Sequence, residues 1–253
     1  MAEWNDPRTT GVNTAATVGV PRAARDVGLR SYMLSVYNYM ASGVLLTGIV
    51  AMLFANSSLI NLVATANPAT GAVQPTGLGW VAIFAPLALV FALSFGINRM
   101  SAATAQALYW LYAALIGVQF STLFLVYTGA SIAQTFFATA AAFLGLSLYG
   151  YTTKRDLSGM GTFLIMGVVG LLVAMVINIF LHSTGLNLLI SCIGVLIFAG
   201  LTAYDTQKIK SIYFMVAGSG EVMAKTAVMG ALRLYLDFIN MFLFLLRFMG
   251  NRR

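Results

Sequence analysis

Residues 161–181 have the sequence GTFLIMGVVGLLVAMVINIFL, which contains no charged side chain. A helix of this length crosses about 30 Å of hydrocarbon, because each residue advances the helix by about 1.5 Å. An open strand would leave its amide groups without partners in lipid, and the stretch lacks the alternating pattern of a barrel strand. These residues are therefore predicted to form a transmembrane helix.

Six further apolar stretches of similar length accompany it. They follow one another almost without interruption, and glycines recur within them, as expected where membrane helices pack closely. We therefore predict an all-α integral membrane protein, a bundle of seven transmembrane helices with almost no soluble mass. The predicted spans are residues 31–55, 78–97, 102–127, 131–151, 161–181, 187–206 and 226–249.

The composition of the whole chain agrees with this class. Of 253 residues, 60% are hydrophobic and 8% are charged, whereas about 25% of residues in a soluble domain are charged. The net charge of +7 comes from Lys and Arg at the ends of apolar stretches. They form no basic stripe that could follow a phosphate backbone. The predicted partner is the lipid bilayer, and no nucleic acid is expected.

Residues that often carry chemistry are scarce. Cys192 is the single cysteine and lies inside an apolar stretch, while His182 is the single histidine and lies in a short loop. One cysteine can form neither an internal disulfide nor a multi-cysteine metal site. We therefore predict no metal site and no catalytic residue of these types.

The charges of the loops predict the orientation in the membrane. Three of the loops contain no Lys, Arg, Asp or Glu, namely residues 56–77, 128–130 and 182–186. Basic residues occur instead on the other side, before the first span and in the remaining loops. This asymmetry places the N-terminus in the cytoplasm. Loop 56–77 is rich in Asn, Pro and Gly and is predicted to be an irregular extracytoplasmic loop.

Three parts of the chain are predicted from this pattern. Residues 1–30 contain no apolar segment of a cleavable signal peptide and are predicted to be a flexible cytosolic tail. Residues 31–250 form the membrane domain, and residues 251–253 form a short basic C-terminal tail. Seven spans place Arg252 and Arg253 outside, contrary to the charge rule. Either the last span does not fully cross, or residues 211–223 dip into the membrane; full crossing is the expectation.

Two acidic residues lie within predicted spans, Asp205 in the sixth and Asp237 in the seventh. A carboxylate inside a membrane helix costs about 2.5–3.5 kcal/mol on insertion scales, so it usually faces the bundle interior and has a partner. If the two carboxyl groups meet, they cannot both ionise cheaply and they share a proton. Such a pair would be a pH-dependent latch between two helices.

Simpler roles for the two acids remain open from the residues alone. Asp205 could be a solvated anchor paired with Lys208, one turn later. Asp237 could be neutralised by Arg233, four residues earlier on the same helix face. If the last span begins near Lys225, Asp237 lies about 18 Å along the helix axis. A tilt or a late helix start would then be needed to bring the acids level.

The strings around the acids are distinctive: AYDTQKIK at residues 203–210 and LYLDFIN at residues 234–240. They resemble the signature segments of the Bax inhibitor (transmembrane Bax inhibitor motif) family. Residues 154–158 and 178–180 are similar to further family segments. The resemblance extends over residues 31–250, and the chain is most similar to the bacterial branch.

This resemblance implies a seven-helix bundle with the last helix near its centre. It implies a pH-sensitive calcium (cation) leak in the bacterial inner (plasma) membrane, gated by Asp205 and Asp237 as a di-aspartyl sensor. It also implies an arginine at the end of the second helix that can pair with the acids. Arg99 is the candidate, although Gly96-Ile97-Asn98-Arg99 does not match a fixed motif. Arg233 replaces a small or apolar neighbour and could compete for Asp237.

Other membrane-protein functions fit the sequence less well than the leak does. An intramembrane aspartyl protease uses Tyr-Asp on one helix, as in Tyr204-Asp205, and Gly-x-Gly-Asp on the next, but residues 234–237 contain no glycine. A retinal protein needs a lysine within its final helix, and a rhomboid protease needs a histidine within the membrane. No enzymatic activity and no cofactor are therefore expected. The alternative is a non-conducting membrane factor that binds other membrane proteins or quality-control proteases.

Overall fold

The structure, a computed structural model, describes residues 22–66 and 73–252. Within this part of the chain, seven helices are long and apolar enough to cross a membrane. The predicted all-α membrane bundle is thereby confirmed. In chain order the elements are α1 (Arg22–Ala55), α2 (Ile60–Val63), β1 (Ala64–Ala66), β2 (Val73–Pro75), α3 (Gly77–Gly96), α4 (Ala102–Ser121), α5 (Leu123–Val126), α6 (Gly129–Thr152), α7 (Ser158–Leu181), α8 (Thr184–Val216) and α9 (Gly220–Met249).

Hydroxyl side chains fix where four of the long helices begin. Thr76, Ser101, Thr128 and Ser183 precede α3, α4, α6 and α8, and each accepts a hydrogen bond from a backbone N–H in the first turn. Such caps satisfy amide groups that have no partner within the helix. Because these amides lie near the membrane surface, the caps help each short connection to start the next span.

Helix α9 lies at the centre of the bundle, as the family resemblance implies. It packs against α1, α4, α6 and α8, and 67% of its most apolar stretch is buried, against 11% for α7. Large apolar side chains of the outer helices, such as Phe95, Phe163 and Phe180, are strongly exposed. An exposed surface of this kind is covered by lipid in a membrane protein.

Helix α8 is longer than the predicted sixth span. It continues to Val216, ten residues beyond the predicted end at residue 206. Residues 211–223, which were suggested to dip into the membrane, form the end of α8, a tight turn and the start of α9. Gly218 has a φ of 92° in this turn, a conformation that glycine adopts without steric cost.

The N-terminal boundary also differs from the prediction. Helix α1 begins at Arg22, so residues 22–30 extend the first membrane helix and do not form part of a flexible tail. The apolar residues Leu29 and Met33 on this helix are buried in the core, which stabilises the helix before residue 31. The rest of the predicted tail, residues 1–21, lies outside the described residues.

The loop between α1 and α3 is more ordered than predicted. It contains the short helix α2 and an antiparallel pairing of β1 with β2. The backbone N–H of Thr76 also donates to the carbonyl of Val63 at 3.1 Å. The prediction of an irregular loop is therefore wrong for its described part, because backbone hydrogen bonds organise the segments on both sides of residues 67–72.

The C-terminal segment is held against the connection between α5 and α6. The backbone N–H of Thr128 donates to the carbonyl of Asn251 at 3.1 Å, and the N–H of Asn251 donates to Ser131 Oγ at 2.8 Å. The guanidinium of Arg252 lies 5.9 Å from the centre of the Tyr127 ring. Helix α9 therefore crosses the whole bundle, and the chain ends on the face where the charge-free loops lie.

Candidate functional site

Asp205 lies in the interior of α8, eleven residues before the end of that helix. The residue is 9% exposed, and the neighbouring Thr206 and Leu201 are buried. Asp205 lies near the end of the predicted sixth span, but α8 continues beyond it through Lys208 and Lys210. Asp205 is thus a packed residue and not a solvated anchor.

Asp237 lies in the most buried part of α9. The residue is 4% exposed and is surrounded in sequence by the buried Leu234, Tyr235 and Phe238. Its Oδ2 atom receives no hydrogen bond from any N–H or O–H group of the described residues. A negative charge on a carboxyl group in this position costs free energy unless a neighbouring group supplies a compensating charge or a hydrogen bond.

The two aspartates meet across the contact between α8 and α9. They line the same cavity, of about 460 Å³, and their side chains are close enough to be joined by a hydrogen bond. Two carboxyl groups can form such a bond only when one of them carries a proton. The arrangement can therefore hold one proton between two helices.

Arg233 is paired with Asp205 and not with Asp237. Its Nη1 lies 3.7 Å from Asp205 Oδ1, and its side chain is 43% exposed. Arg233 also lines the cavity that Asp237 lines, so its charge lies near both carboxyls although its ion pair is with Asp205. The register of α8 against α9 brings Arg233 level with Asp205, which the sequence of one helix alone does not reveal.

The other predicted charge partners take different positions. Lys208 lines the cavity, but its Nζ lies 5.4 Å from the centre of the Tyr204 ring and forms no ion pair with Asp205 among the described residues. Arg99 is exposed in the turn after α3 and is not among the residues that line the cavity. The structure therefore brings Asp205, Asp237, Arg233 and Lys208 together and leaves Arg99 apart.

Helix α7 covers the cavity on the side of the bilayer. Leu171, Leu172 and Met175 form this wall, and Phe198 stacks on Phe244 with ring centres 5.8 Å apart beside the acids. Apart from the aspartate pair and its two basic neighbours, the walls are almost entirely apolar. In the described part of the chain, no three His, Cys, Asp or Glu side chains cluster as they would around a metal ion.

Comparison with known proteins shows the family of the chain that carries this site. A model of the family described as "Inhibitor of apoptosis-promoting Bax1" matches residues 29–253. The chain belongs to the Bax inhibitor family. The matched region includes residues 203–210 and 234–240, the segments of α8 and α9 that carry the aspartate pair.

Several bacterial proteins of similar length are related to this Bax inhibitor protein. The uncharacterized protein RP147 of Rickettsia prowazekii is 49% identical over 90% of this chain and 92% of its own length. An uncharacterized protein of Caulobacter vibrioides is 47% identical over 90% of this chain and 91% of its own. The inner membrane protein YbhL of Escherichia coli K12 is 47% identical over 92% of this chain and 95% of its own.

The loop of residues 154–158 is attached to α8 beside the site through a residue that sequence reasoning missed. Gln207 Oε1 accepts a hydrogen bond from the backbone N–H of Leu157 at 2.9 Å, and Gln207 Nε2 donates to the carbonyl of Arg155 at 2.8 Å. Within the same loop, the side chain and backbone N–H of Ser158 are hydrogen bonded to Asp156 and hold the pKa of that carboxyl below its usual value. Gln207 thus fixes the loop only two residues from Asp205.

Asn240 is a second residue that sequence reasoning missed. It lies three residues after Asp237 and lines the same cavity, while its Nδ2 donates to the carbonyl of Leu236 at 2.8 Å. Its amide oxygen is therefore available as a further polar group beside the carboxyls. The spacing of three residues between Asp237 and Asn240 could have indicated this position, since residues three apart lie on the same helix face.

Proposed function

We propose that this protein is a pH-sensitive calcium (cation) leak channel whose opening is controlled by Asp205 and Asp237. One observation carries the proposal: two buried carboxyl groups from neighbouring helices line one cavity, and among the described residues Arg233 is the arginine in contact with one of them. With one proton between them, the pair holds α8 against α9. When both are charged, repulsion in a low-dielectric interior loosens that contact and admits a cation.

The setting of this activity follows from the relatives and the loop charges. The protein acts in the bacterial inner membrane, as the name of the Escherichia coli relative suggests for that protein, with its N-terminus in the cytoplasm. Calcium prefers oxygen ligands, and the cavity offers carboxylate and amide oxygens. The leak needs no enzymatic step and no cofactor, and calcium is the transported ion.

Asp205→Asn tests the proposal because asparagine keeps the size and hydrogen bonding of the side chain but cannot ionise. We expect the variant to change the shape of the calcium flux–pH curve, since one member of the coupled titration is gone and Asp237 titrates alone. The measurement is calcium-dye flux into liposomes that contain the purified protein, at matched protein density across a pH series. Asp156→Asn, in an exposed loop, is the matched control and should leave the curve unchanged.

Two outcomes would contradict the proposal. Curves for the wild type and Asp205→Asn that superimpose would rule out the aspartate pair as the sensor. Flux no greater than that of empty liposomes at every pH would exclude the leak itself. The second outcome would favour the alternative that the protein is a non-conducting factor that binds or modulates other membrane proteins or quality-control proteases.

A further inference from the structure

A long groove runs between α1 and α6 on the bilayer side of the bundle, away from the aspartate cavity. It consists of two cavities of about 710 Å³ and 360 Å³, which share Val44, Leu45, Phe136 and Phe238 and are therefore continuous. The groove begins at Arg30 and reaches Met52 on α1, a distance of about 33 Å along the helix. It thus follows the bundle across the thickness of the hydrocarbon.

The packing of the helices explains why this groove exists. Helix α1 packs mainly on α4 and α9, whereas α6 packs on α8 and α9. Helix α9 therefore forms the floor between α1 and α6, with Phe238, Ile239 and Phe242. Small residues along the walls, including Ala41 and Ala140, leave space that larger side chains would fill.

The interior of the groove is apolar because its hydroxyl groups have partners within the bundle. Tyr37 and Ser147 are hydrogen bonded to each other at 2.7 Å, and Ser147 is bonded to Thr206 at 2.9 Å. Thr47 and Tyr235 are bonded at 2.6 Å. A guest in this groove therefore meets hydrocarbon surface, which suits an acyl chain.

One end of the groove is basic. Arg30 lines this end, is exposed and forms no ion pair with a carboxylate among the described residues, although Asp26 lies one turn earlier on α1. Tyr151 lines the opposite wall, and Lys210 of α8, which does not line the groove, donates to the Tyr151 carbonyl at 2.7 Å and lies 4.9 Å from the centre of that ring. One positive charge thus lines the opening of an apolar groove, and a second contacts a residue of its wall.

We propose that this groove binds an anionic phospholipid, with one acyl chain between α1 and α6 and the headgroup phosphate at Arg30. Basic pockets between membrane helices hold anionic headgroups by the same combination of charge and apolar space. The guanidinium fork of arginine matches the geometry of phosphate. This proposal does not depend on ion conduction. A lipid here would nevertheless contact Phe238 in the floor of the groove, the residue that follows Asp237 in the sequence.

The headgroup contact is tested with full-length protein in a mild detergent to which equal amounts of phosphatidylglycerol and phosphatidylcholine are added. Native mass spectrometry then counts the lipids that remain bound. We expect the wild type to retain phosphatidylglycerol preferentially, and Arg30→Gln to reduce that preference about fivefold, the worth of one basic residue near anionic lipid. Arg155→Gln removes an exposed charge from the loop after α6 and should have no effect.

The acyl-chain contact is tested by filling the groove. Ala140→Trp places a large ring inside it and should reduce the retention of both lipids, whereas Ala138→Trp, exposed on α6 outside the groove, should not. Equal retention of the two lipids by the wild type would overturn the proposal. So would the same preference in Arg30→Gln as in the wild type, because the lipid would then be only part of the surrounding annulus.

Discussion

The two aspartates differ in their surroundings although they share a cavity. Asp205 has the guanidinium of Arg233 at 3.7 Å, whereas Asp237 is more deeply buried and has an oxygen without a donor. In the proposed latch, Arg233 therefore acts directly on Asp205, whereas Asp237 forms no ion pair among the described residues.

Arg233→Gln is predicted to move the calcium flux–pH curve to higher pH. The positive charge beside Asp205 favours the doubly charged pair, so its removal makes the loss of the shared proton harder. A shift of about one pH unit is expected, because an adjacent opposite charge changes a carboxyl titration by about one to three units. The measurement is the midpoint of flux in liposomes, at protein density matched to the wild type.

Arg247→Gln is the matched control on the same helix. The Arg247 guanidinium lies 5.8 Å from the centre of the Phe244 ring, and its Nη1 contacts the sulfur of Met175 at 3.9 Å. It forms no ion pair with a carboxylate among the described residues. An equal shift in both variants would mean that net charge, and not the contact with Asp205, governs the curve.

The sequence predicts which residues form the candidate site better than it predicts which of them are in contact. Asp205 and Asp237 stand out because charged residues inside apolar spans are rare. Spacing within one helix suggests Asp237 as a neighbour of Arg233, but the ion pair with Asp205 depends on the position of α8 relative to α9. That register is set by packing across two helices, and no local pattern encodes it.

At the scale of a helix, hydropathy predicts where a chain leaves the hydrocarbon but not where the helix ends. Lys208 and Lys210 marked the end of the sixth span, yet α8 continues to Val216. Lys210 remains compatible with the helix because it donates to the carbonyl of Tyr151. Long basic side chains commonly extend towards polar partners in this way, so charged residues can follow a predicted span without ending the helix.

The contact between α6 and α8 beside the site depends on the absence of a side chain at Gly150. A Cβ atom there would lie 2.2 Å from the carbonyl oxygen of Ala203, whereas one at Gly145 on the same helix would meet nothing within 4 Å. Gly150→Ala is therefore predicted to destabilise the protein by about 1–3 kcal/mol, the usual cost of overpacking. Gly145→Ala should cause no loss, since alanine favours a helix by about 0.5–1 kcal/mol.

Thermal unfolding in detergent, followed by circular dichroism, compares these two variants directly. The midpoint should fall for Gly150→Ala and stay the same or rise for Gly145→Ala. A midpoint for Gly150→Ala equal to that of the wild type would mean that α6 and α8 are not in close contact at this point. The comparison isolates packing because both changes add the same methyl group to the same helix.

At the scale of the whole molecule, the number of spans follows from composition, but the order of burial does not. Helix α7 is more apolar than α9, so a simple rule that apolar helices lie inside would place α7 at the centre. The structure has the reverse order, because lipid solvates apolar side chains and the polar groups of α9 need partners within the protein. The family resemblance, and not hydropathy, predicted the central position of the last helix.

The face of the bundle on which each loop lies leads to a prediction about membrane orientation. Because the N–H of Thr128 donates to the carbonyl of Asn251, the C-terminus lies on the same face as the charge-free loops. That face is predicted to be extracytoplasmic, since the loops on the other face carry the basic residues. Arg252 is compatible with this side because it packs on Tyr127 at the end of the bundle.

Cysteine labelling in intact bacterial spheroplasts measures this orientation, in a Cys192→Ala background that removes the natural thiol. Thr65→Cys and Arg252→Cys replace exposed residues on the charge-free face, and Lys154→Cys replaces an exposed residue on the basic face. A membrane-impermeant maleimide should label the first two from outside and the third only after the membrane is permeabilised. Labelling of Lys154→Cys in intact spheroplasts would reverse the orientation. Labelling of Thr65→Cys without Arg252→Cys would instead mean that α9 does not cross the membrane, contrary to the contact between Thr128 and Asn251.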